Sequence, residues 1–241
     1  MRLDKRVTMS GMSRSEARKA IREGRVKVNG ASAADPGMTV EDSCPVTVDG
    51  APITAFVPLH CMLNKPAGVV SAREDARFRT VFDCLPPGVS MRRDLVCVGR
   101  LDRDVTGLLL FTTDGELAHR LISPRWRVPK VYRAWVDGTL RDEHVGRFAA
   151  GIDLGDFTAR PAALRIVESG AESIAELTVC EGRFHQVKRM FEAVGCPVTR
   201  LHRLREGAVV LDANLASGGS RELTEAEIES LYADTHLSAP V

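Results

Sequence analysis

No stretch of these 241 residues approaches the roughly 18 consecutive apolar positions of a membrane span. The opening Met1-Arg2-Leu3-Asp4-Lys5-Arg6 lacks the apolar core of a secretory signal, so a cytoplasmic location without membrane attachment is expected. The six cysteines (44, 61, 84, 97, 180 and 196) include no Cys-x-x-Cys pair. In an unexported chain they read as reduced core residues, and neither a disulfide nor a metal site is expected. Also missing are a P-loop, a dinucleotide fingerprint, a Gly-x-Ser-x-Gly elbow and a His-Glu-x-x-His helix. A reaction that needs no cofactor is the default.

Lysine and arginine are absent from residues 31–60, which hold four acids, whereas residues 1–30 carry nine Lys/Arg against three Asp/Glu. The formal net charge of +1 therefore hides a basic head on a mildly acidic body. Such an asymmetry suits a polyanion-binding module joined to something else, although a single charge run is more often a solvated face. With 44% hydrophobic and 27% charged residues the composition is globular, and the length allows one large or two unequal domains. A chain of this size buries roughly 70% of its unfolded surface and needs no staples.

Ser13-Arg14-Ser15-Glu16 has capping-box spacing, so a helix is predicted after Ser13, with Gly24 as its stop. Ala17, Ala20 and Ile21 fall on one face of it. Arg14, Arg18, Arg22 and Arg25 fall within about 80° beside that face, forming a guanidinium ridge. An earlier short helix places Leu3 and Val7 inward and Arg2 and Arg6 outward. Val26-Lys27-Val28 alternates as a strand and Asn29-Gly30 is a tight-turn signal. Pro52 and Pro58 bracket a weakly patterned stretch read as a linker.

Beyond it, Met62 to Val70 reads as a strand entering a Pro/Gly turn, where Lys65 by itself reads as a turn cation. Val96 to Gly107 places two arginines and two aspartates between apolar strands, the second being Leu108-Leu109-Leu110-Phe111. A rigid scaffold presents reactive groups on such loops, yet Asp102 alone reads as a turn or ion-pair residue. Thr113-Asp114-Gly115-Glu116 repeats the capping-box spacing before Leu117, Ala118 and Leu121. Arg125, Arg127, Lys130 and Arg133 interleave with Trp126, Tyr132 and Trp135, a pattern that binds nucleic acid by pairing phosphates and stacking bases. Trp135 is instead read as a core residue of the strand Val131 to Val136. After a further strand, Val187, Met190, Phe191 and Val194 mark a helix closed by Gly195. Lys188 and Arg189 sit in its first turns, where the helix dipole disfavours cations, so an anionic partner is expected. His185 reads as a packed or backbone-bonded histidine. Thr224-Glu225-Ala226-Glu227 caps a terminal helix, with Leu223 and Ile228 as its staple.

Arg2-Leu3-Asp4-Lys5, Ser13-Arg14-Ser15-Glu16-Ala17 and Gly24-Arg25-Val26-Lys27-Val28-Asn29-Gly30 together resemble the S4 RNA-binding domain. Behind them come Gly99-Arg100-Leu101-Asp102, Lys130-Val131-Tyr132 and Glu181-Gly182-Arg183-Phe184-His185-Gln186-Val187-Lys188-Arg189-Met190. That order resembles the ribosomal RNA pseudouridine synthases over nearly the whole chain. Ser123-Pro124-Arg125 and Leu223 to Ile228 are similar to the small-subunit branch, which modifies uridine 516 of 16S rRNA.

The resemblance implies an α+β chain. An S4-like RNA-binding domain and linker (1–58) would precede a synthase domain (59–241) with a mixed, largely antiparallel sheet flanked by helices. It implies catalytic roles for Asp102, Tyr132 and Lys188, with Lys188 beside Asp102 to keep that carboxylate ionised. The candidate RNA contacts are Arg14, Arg18, Arg22, Arg25, Lys27, Arg100 and Arg183. The reaction breaks the C1′–N1 bond of uridine and rejoins C1′ to C5 without redox change. The aspartate attacks the nucleoside or removes a sugar proton, Tyr132 packs on the uracil, and no cofactor or metal takes part. A stacked base is out of reach, so the uridine is expected to be flipped into the pocket. The implied partner is rRNA, most simply 16S, free or in an assembly particle, and the enzyme is expected to be a monomer. Two alternatives stay open: a large-subunit (23S) synthase of the same family, and an S4-type rRNA-binding assembly factor with a silent catalytic domain.

Overall fold

The computed structural model describes residues 1–41, 44–53 and 58–239, which divide into two units, Met1–Pro58 and Leu59–Ala239. The first unit begins with α1 (Leu3–Val7) and α2 (Arg14–Arg22). Ser13 Oγ accepts from Glu16 N, and the Glu16 carboxylate accepts from Ser13 N at 2.7 Å, closing the capping box. Gly24, at φ +72°, ends the helix. A four-stranded antiparallel sheet follows: β1 (Val26–Val28), β2 (Ala31–Ser32), β3 (Val46–Val48) and β4 (Ala51–Ile53), ordered β2-β1-β3-β4. Asn29 and Gly30 take positive φ (51° and 82°) in the β1–β2 turn, the conformation that Asn-Gly tolerates. Leu3, Val7, Ala17, Ala20, Ile21, Val26 and Val46 share one core.

Two readings of this unit need correction. Arg6 is 2% exposed, not outward. It lies only about 60° from Leu3 around α1, on the buried side, whereas Arg2 precedes the helix altogether. Pro52 belongs to β4, so the expected linker cannot start there, and its residues 54–57 lie outside the described ones.

The second unit runs β5 (His60–Lys65), α3 (Pro87–Ser90), β6 (Val96–Val98), β7 (Thr106–Thr112), α4 (Gly115–Ile122), β8 (Lys130–Asp137) and α5 (Asp142–Ala150). It continues with β9 (Ile152–Asp153), β10 (Thr158–Ala159), β11 (Ala163–Glu168), β12 (Glu172–Val179) and α6 (Gln186–Ala193). The last elements are β13 (Val198–Glu206), β14 (Val209–Val210), β15 (Ser220–Glu222) and α7 (Glu225–Asp234). Nine strands form one sheet with the path β11-β12-β8-β13-β7-β5-β15, to which β6 adds beside β7 and β14 beside β13. Alternate residues of β7 feed opposite faces. Leu109 and Phe111 join a core with Phe148 of α5 and Met190 and Phe191 of α6, while Leu108 and Leu110 join Leu117 and Leu121 of α4 and Leu231 of α7. A strand covered on both faces has to be apolar throughout, as this one is.

The two halves of the sheet meet where β7 and β13 run parallel, pairing Thr106 with His202 and Gly107 with Arg203. The other ladders of the sheet are antiparallel. A Cβ on Gly107 would lie 2.3 Å from the Arg203 carbonyl oxygen and 2.7 Å from its nitrogen, so only glycine permits this approach.

Helix α4 starts one residue later than its spacing predicts. Asp114, not Thr113, is the cap and accepts from Glu116 N and Leu117 N, while Thr113 Oγ1 accepts from Leu59 N at 2.9 Å. Trp135 is not a core residue. Tyr132, Ala134 and Val136 point into the core by strand alternation, so Trp135 faces the other way, half-buried under the Arg200 guanidinium. The Thr224 capping box of α7 forms as its spacing predicts.

Candidate active site

The segment between β6 and β7 is short, charged and tied down from below. Ser71 Oγ donates to Leu101 O at 2.7 Å and accepts from Leu101 N at 3.0 Å. Gly68 N donates to Arg103 O, and Val105 N closes a turn onto Asp102 O. Lys65 is no solvated turn cation: it is 0% exposed, and its Nζ donates to the carbonyls of Pro66, Arg103 and Val105. The loop is thus hung on a buried ammonium, with Asp102 opening the turn whose tip is Arg103 and Asp104.

Lys65→Met would strip the ammonium donor from three carbonyls, of which that of Arg103 keeps Gly68 N, and the expected loss of stability is about 3 kcal/mol. Burial lowers the Lys65 pKa from 10.5 to about 8. Between those values the unfolded chain holds a proton that the folded chain has released, so wild-type stability rises relative to Lys65→Met as pH climbs through that window. Urea midpoints of both chains from pH 7.5 to 10.5 measure this, and a difference that shrinks with pH contradicts it.

Asp102, one-third exposed, faces a half-open concavity. Tyr132 from β8, Leu201 from β13, Arg183 and His185 from the loop after β12, and Lys188 from α6 also line it, as does Arg100. Five residues nominated by the resemblance (Arg100, Asp102, Tyr132, Arg183 and Lys188) therefore share one concavity. Burial raises the Tyr132 pKa, so its phenol stays neutral. Lys188 Nζ is 3.6 Å from Asp102 but 2.8 Å from both oxygens of Asp104, so its principal anion is Asp104 rather than the expected Asp102. That lysine holds the Asp104 carboxyl below the usual carboxylate range.

His185 is not packed away. It sits at the start of α6 with φ +48°, its Nε2 3.5 Å from Asp102 Oδ1. The sequence offered no signal for this, because a left-handed residue turns its ring where helical periodicity cannot follow. Glu181 and Gln186 were also missed. Gln186 Nε2 donates to Glu181 Oε1 at 2.8 Å and its Oε1 accepts from Arg183 N at 3.0 Å, which locks the loop that carries Arg183 and His185.

A concavity lined by the carboxylates of Asp102 and Glu181, a neutral phenol, cations and apolar walls from Leu101, Val105, Val179 and Leu201 suits a planar polar ring on an anionic strand. Residues 60–193 match the family described as RNA pseudouridylate synthase, and residues 1–43 match the S4 domain. The chain belongs to the RNA pseudouridine synthase family. It is 42% identical over 235 residues to an uncharacterized RNA pseudouridine synthase, YtzG, of Bacillus subtilis (strain 168), covering 96% of this chain and 98% of that one. It is 41% identical over 236 residues to the ribosomal small subunit pseudouridine synthase A of Escherichia coli (strain K12) and to that of Vibrio parahaemolyticus, covering 96% of this chain and 100% of each. A crystal structure described as pseudouridylate synthase superposes with a TM-score of 0.68 at 36% identity, covering 96% of this chain and 99% of that one. The α+β architecture, with its mixed and largely antiparallel sheet behind an S4 domain, is that of the family.

This pseudouridine synthase is an isomerase that acts on RNA. Beneath its pocket, Lys130 is buried: its Nζ donates to Leu121 O and lies 3.5 Å from Glu206. The fully buried Arg203 meets Glu206 at 3.1 Å and donates to Leu108 O at 2.7 Å. Lys130 therefore belongs to a buried ion network under Tyr132, not to a basic surface for nucleic acid. Among the described residues no group of three or more His, Cys, Asp or Glu is placed to hold a metal ion. No helix of the described residues is long and apolar enough to cross a membrane.

In the S4 unit, Arg14, Arg18 and Arg22 lie along one face of α2 beside Lys19. The buried Asp4 carboxylate accepts from Arg2, Arg14 and Arg18. Burial opposes its charge, but those guanidiniums override it and hold the carboxyl below the usual range. Arg25 does not extend the ridge: α2 ends at Arg22, and Arg25 pairs with Asp49 and Glu23. Lys27 is exposed on β1 between inward-facing Val26 and Val28, on the opposite side of the sheet from the core and α2.

Proposed function

We propose that this pseudouridine synthase converts uridine 516 of 16S rRNA to pseudouridine, with Asp102 as its catalytic group. The observation that carries this reading is a carboxylate on a tied loop that shares one concavity with Tyr132 and is flanked by Lys188 and His185. The target follows from near-full-length similarity to enzymes named for the small ribosomal subunit.

In the reaction the C1′–N1 bond breaks, a C1′–C5 bond forms, the C5 proton leaves and N1 gains one. Asp102 acts as nucleophile or sugar base, and both roles require its ionised form. Lys188 stands 3.6 Å from that carboxylate while it holds Asp104 at 2.8 Å. Tyr132 packs on the detached uracil and holds it for rotation. Arg100 and Arg183 meet the flanking phosphates, which guanidinium forks grip in pairs. Residues 1–58 bind rRNA, residues 59–241 catalyse, and the cytoplasm is where rRNA is met.

The test is tritium release from 16S rRNA labelled at C5 of uridine, followed by mapping of the new pseudouridine. No release overturns the reading, and release from 23S rRNA in its place overturns the target.

The S4 unit makes a separate test. Arg22→Ala is expected to flatten the dependence of log affinity on log salt by ~0.7–0.9, the value of one lost phosphate contact. Arg25→Ala is expected to leave the slope unchanged, because Asp49 and Glu23 already occupy that guanidinium. Arg14 and Arg18 are poorer probes, since removing either strips a partner from buried Asp4. Equal slopes for wild type and Arg22→Ala would remove α2 from the RNA interface.

A further inference from the structure

Phe184 has no part in the chemistry above, yet its residue is 72% exposed, which is rare for a large apolar side chain here. A lone exposed phenylalanine needs no explanation. This one is not alone. Its ring lies on the His185 imidazole with centroids 3.8 Å apart and planes 17° apart. His185 lines the cavity and approaches Asp102 within 3.5 Å. A two-ring stack therefore runs outward from the carboxylate, imidazole first and phenyl second, and its outer end meets solvent.

The stack is held in place. His185 keeps a left-handed backbone that few non-glycine residues adopt, and Arg189 N donates to its carbonyl at 3.0 Å. The loop on its other side is fastened through Gln186 to Glu181. Two cations line the same cavity: Arg100, and Arg183, whose guanidinium lies 4.3 Å over the Phe157 ring. A rigid aromatic face that adjoins, through His185, a cation-lined pocket for an extruded base has the makings of a platform for single-stranded nucleic acid.

We propose that Phe184, backed by His185, stacks the nucleobase next to the target uridine. This rests on the isomerase reading, because the neighbour is defined by the uridine in the pocket. Flipping that uridine out leaves its neighbour without a stacking partner, and the phenyl face replaces it. Every base has a π-face, but a purine covers more of the ring. A purine on the stacked side is therefore preferred, and Phe184 is a specificity-determining residue.

The experiment uses the full chain and 16S rRNA. Phe184→Ala is expected to raise the half-saturating RNA concentration for tritium release about tenfold, the effect of one lost base–aromatic stack, with the larger part of the loss in that constant rather than in the saturating rate. Phe184→Trp is expected to restore it. An abasic nucleotide on the stacked side should cost wild type a similar factor and cost Phe184→Ala nothing further. Thermal unfolding should be unchanged in both variants. Half-saturation of Phe184→Ala within twofold of wild type, or a loss that tryptophan does not restore, overturns the proposal. Absence of tritium release by wild type removes the isomerase reading instead, and filter-binding constants of the three chains for 16S rRNA then decide the stack.

Discussion

Asp102→Asn is expected to abolish isomerisation, with single-turnover rates falling by at least about 10⁴ while 16S rRNA affinity and the unfolding midpoint stay near wild type. The amide keeps the shape of the carboxylate and can still accept from Lys188 and His185, but it is neither nucleophile nor base. Losing an essential group costs orders of magnitude in rate because the remaining groups bind without reacting. Stability should hardly change, since the His185 and Lys188 contacts at 3.5 and 3.6 Å are partly exposed and such contacts are worth little. The measurement is tritium release under single-turnover conditions with enzyme in excess. Turnover within about tenfold of wild type would remove Asp102 from the chemistry and leave Asp104, the other carboxylate of the same loop, as the group to test.

The second large effect concerns architecture. Gly107→Ala is expected to cost about 3–5 kcal/mol, because the new methyl meets the Arg203 backbone at 2.3 Å and the residue sits at φ +103°. No side chain can move aside to relieve it, for the obstructing atoms are main chain. The two halves of the sheet pair in parallel only at this point, and β7 leads directly out of the Asp102 loop, so activity should fall with stability. Gly146→Ala is the control: it lies in α5 with nothing within 4 Å of the added carbon, and should be neutral or stabilising. Urea unfolding of the three chains measures both, and a Gly107→Ala midpoint equal to wild type would show that the sheet junction can open without penalty.

The capping boxes at Ser13 and Thr224 were readable from spacing because their hydrogen bonds close within three residues. On β8 the strand was legible but its inward face was not: Trp135 was read as core, whereas Tyr132, Ala134 and Val136 are the side chains that alternate inward. Reading failed where a local rule was carried past its element. The ridge of Arg14, Arg18 and Arg22 is real, but extending the period to Arg25 ignored Gly24, which ends the helix between them. The capping pattern at Thr113 competed with that at Asp114, and Thr113 is used by Leu59, a neighbour 54 positions away.

At the site, the dipole argument for Lys188 rightly demanded an anion and could not choose between two on one loop. Periodicity orients a side chain but carries no distance to a segment 84 residues earlier. Lys65 looked like a turn cation because its three carbonyl partners come from its own turn and from a loop nearly forty residues on.

The amino-acid sequence by itself determined α1, α2, α4, α6 and α7, the buried strand, the basic head and the order of motifs that mark the family, because each is set by contacts between near neighbours or by composition. Only the tertiary structure decided that Lys188 leans on Asp104, that His185 and Phe184 stack outward beside Asp102, and that Gly107 must admit the Arg203 backbone. Those contacts join segments about 80 to 100 residues apart, and which pairs meet is settled by how β7, β8 and β13 register in one sheet and where α6 lands on it.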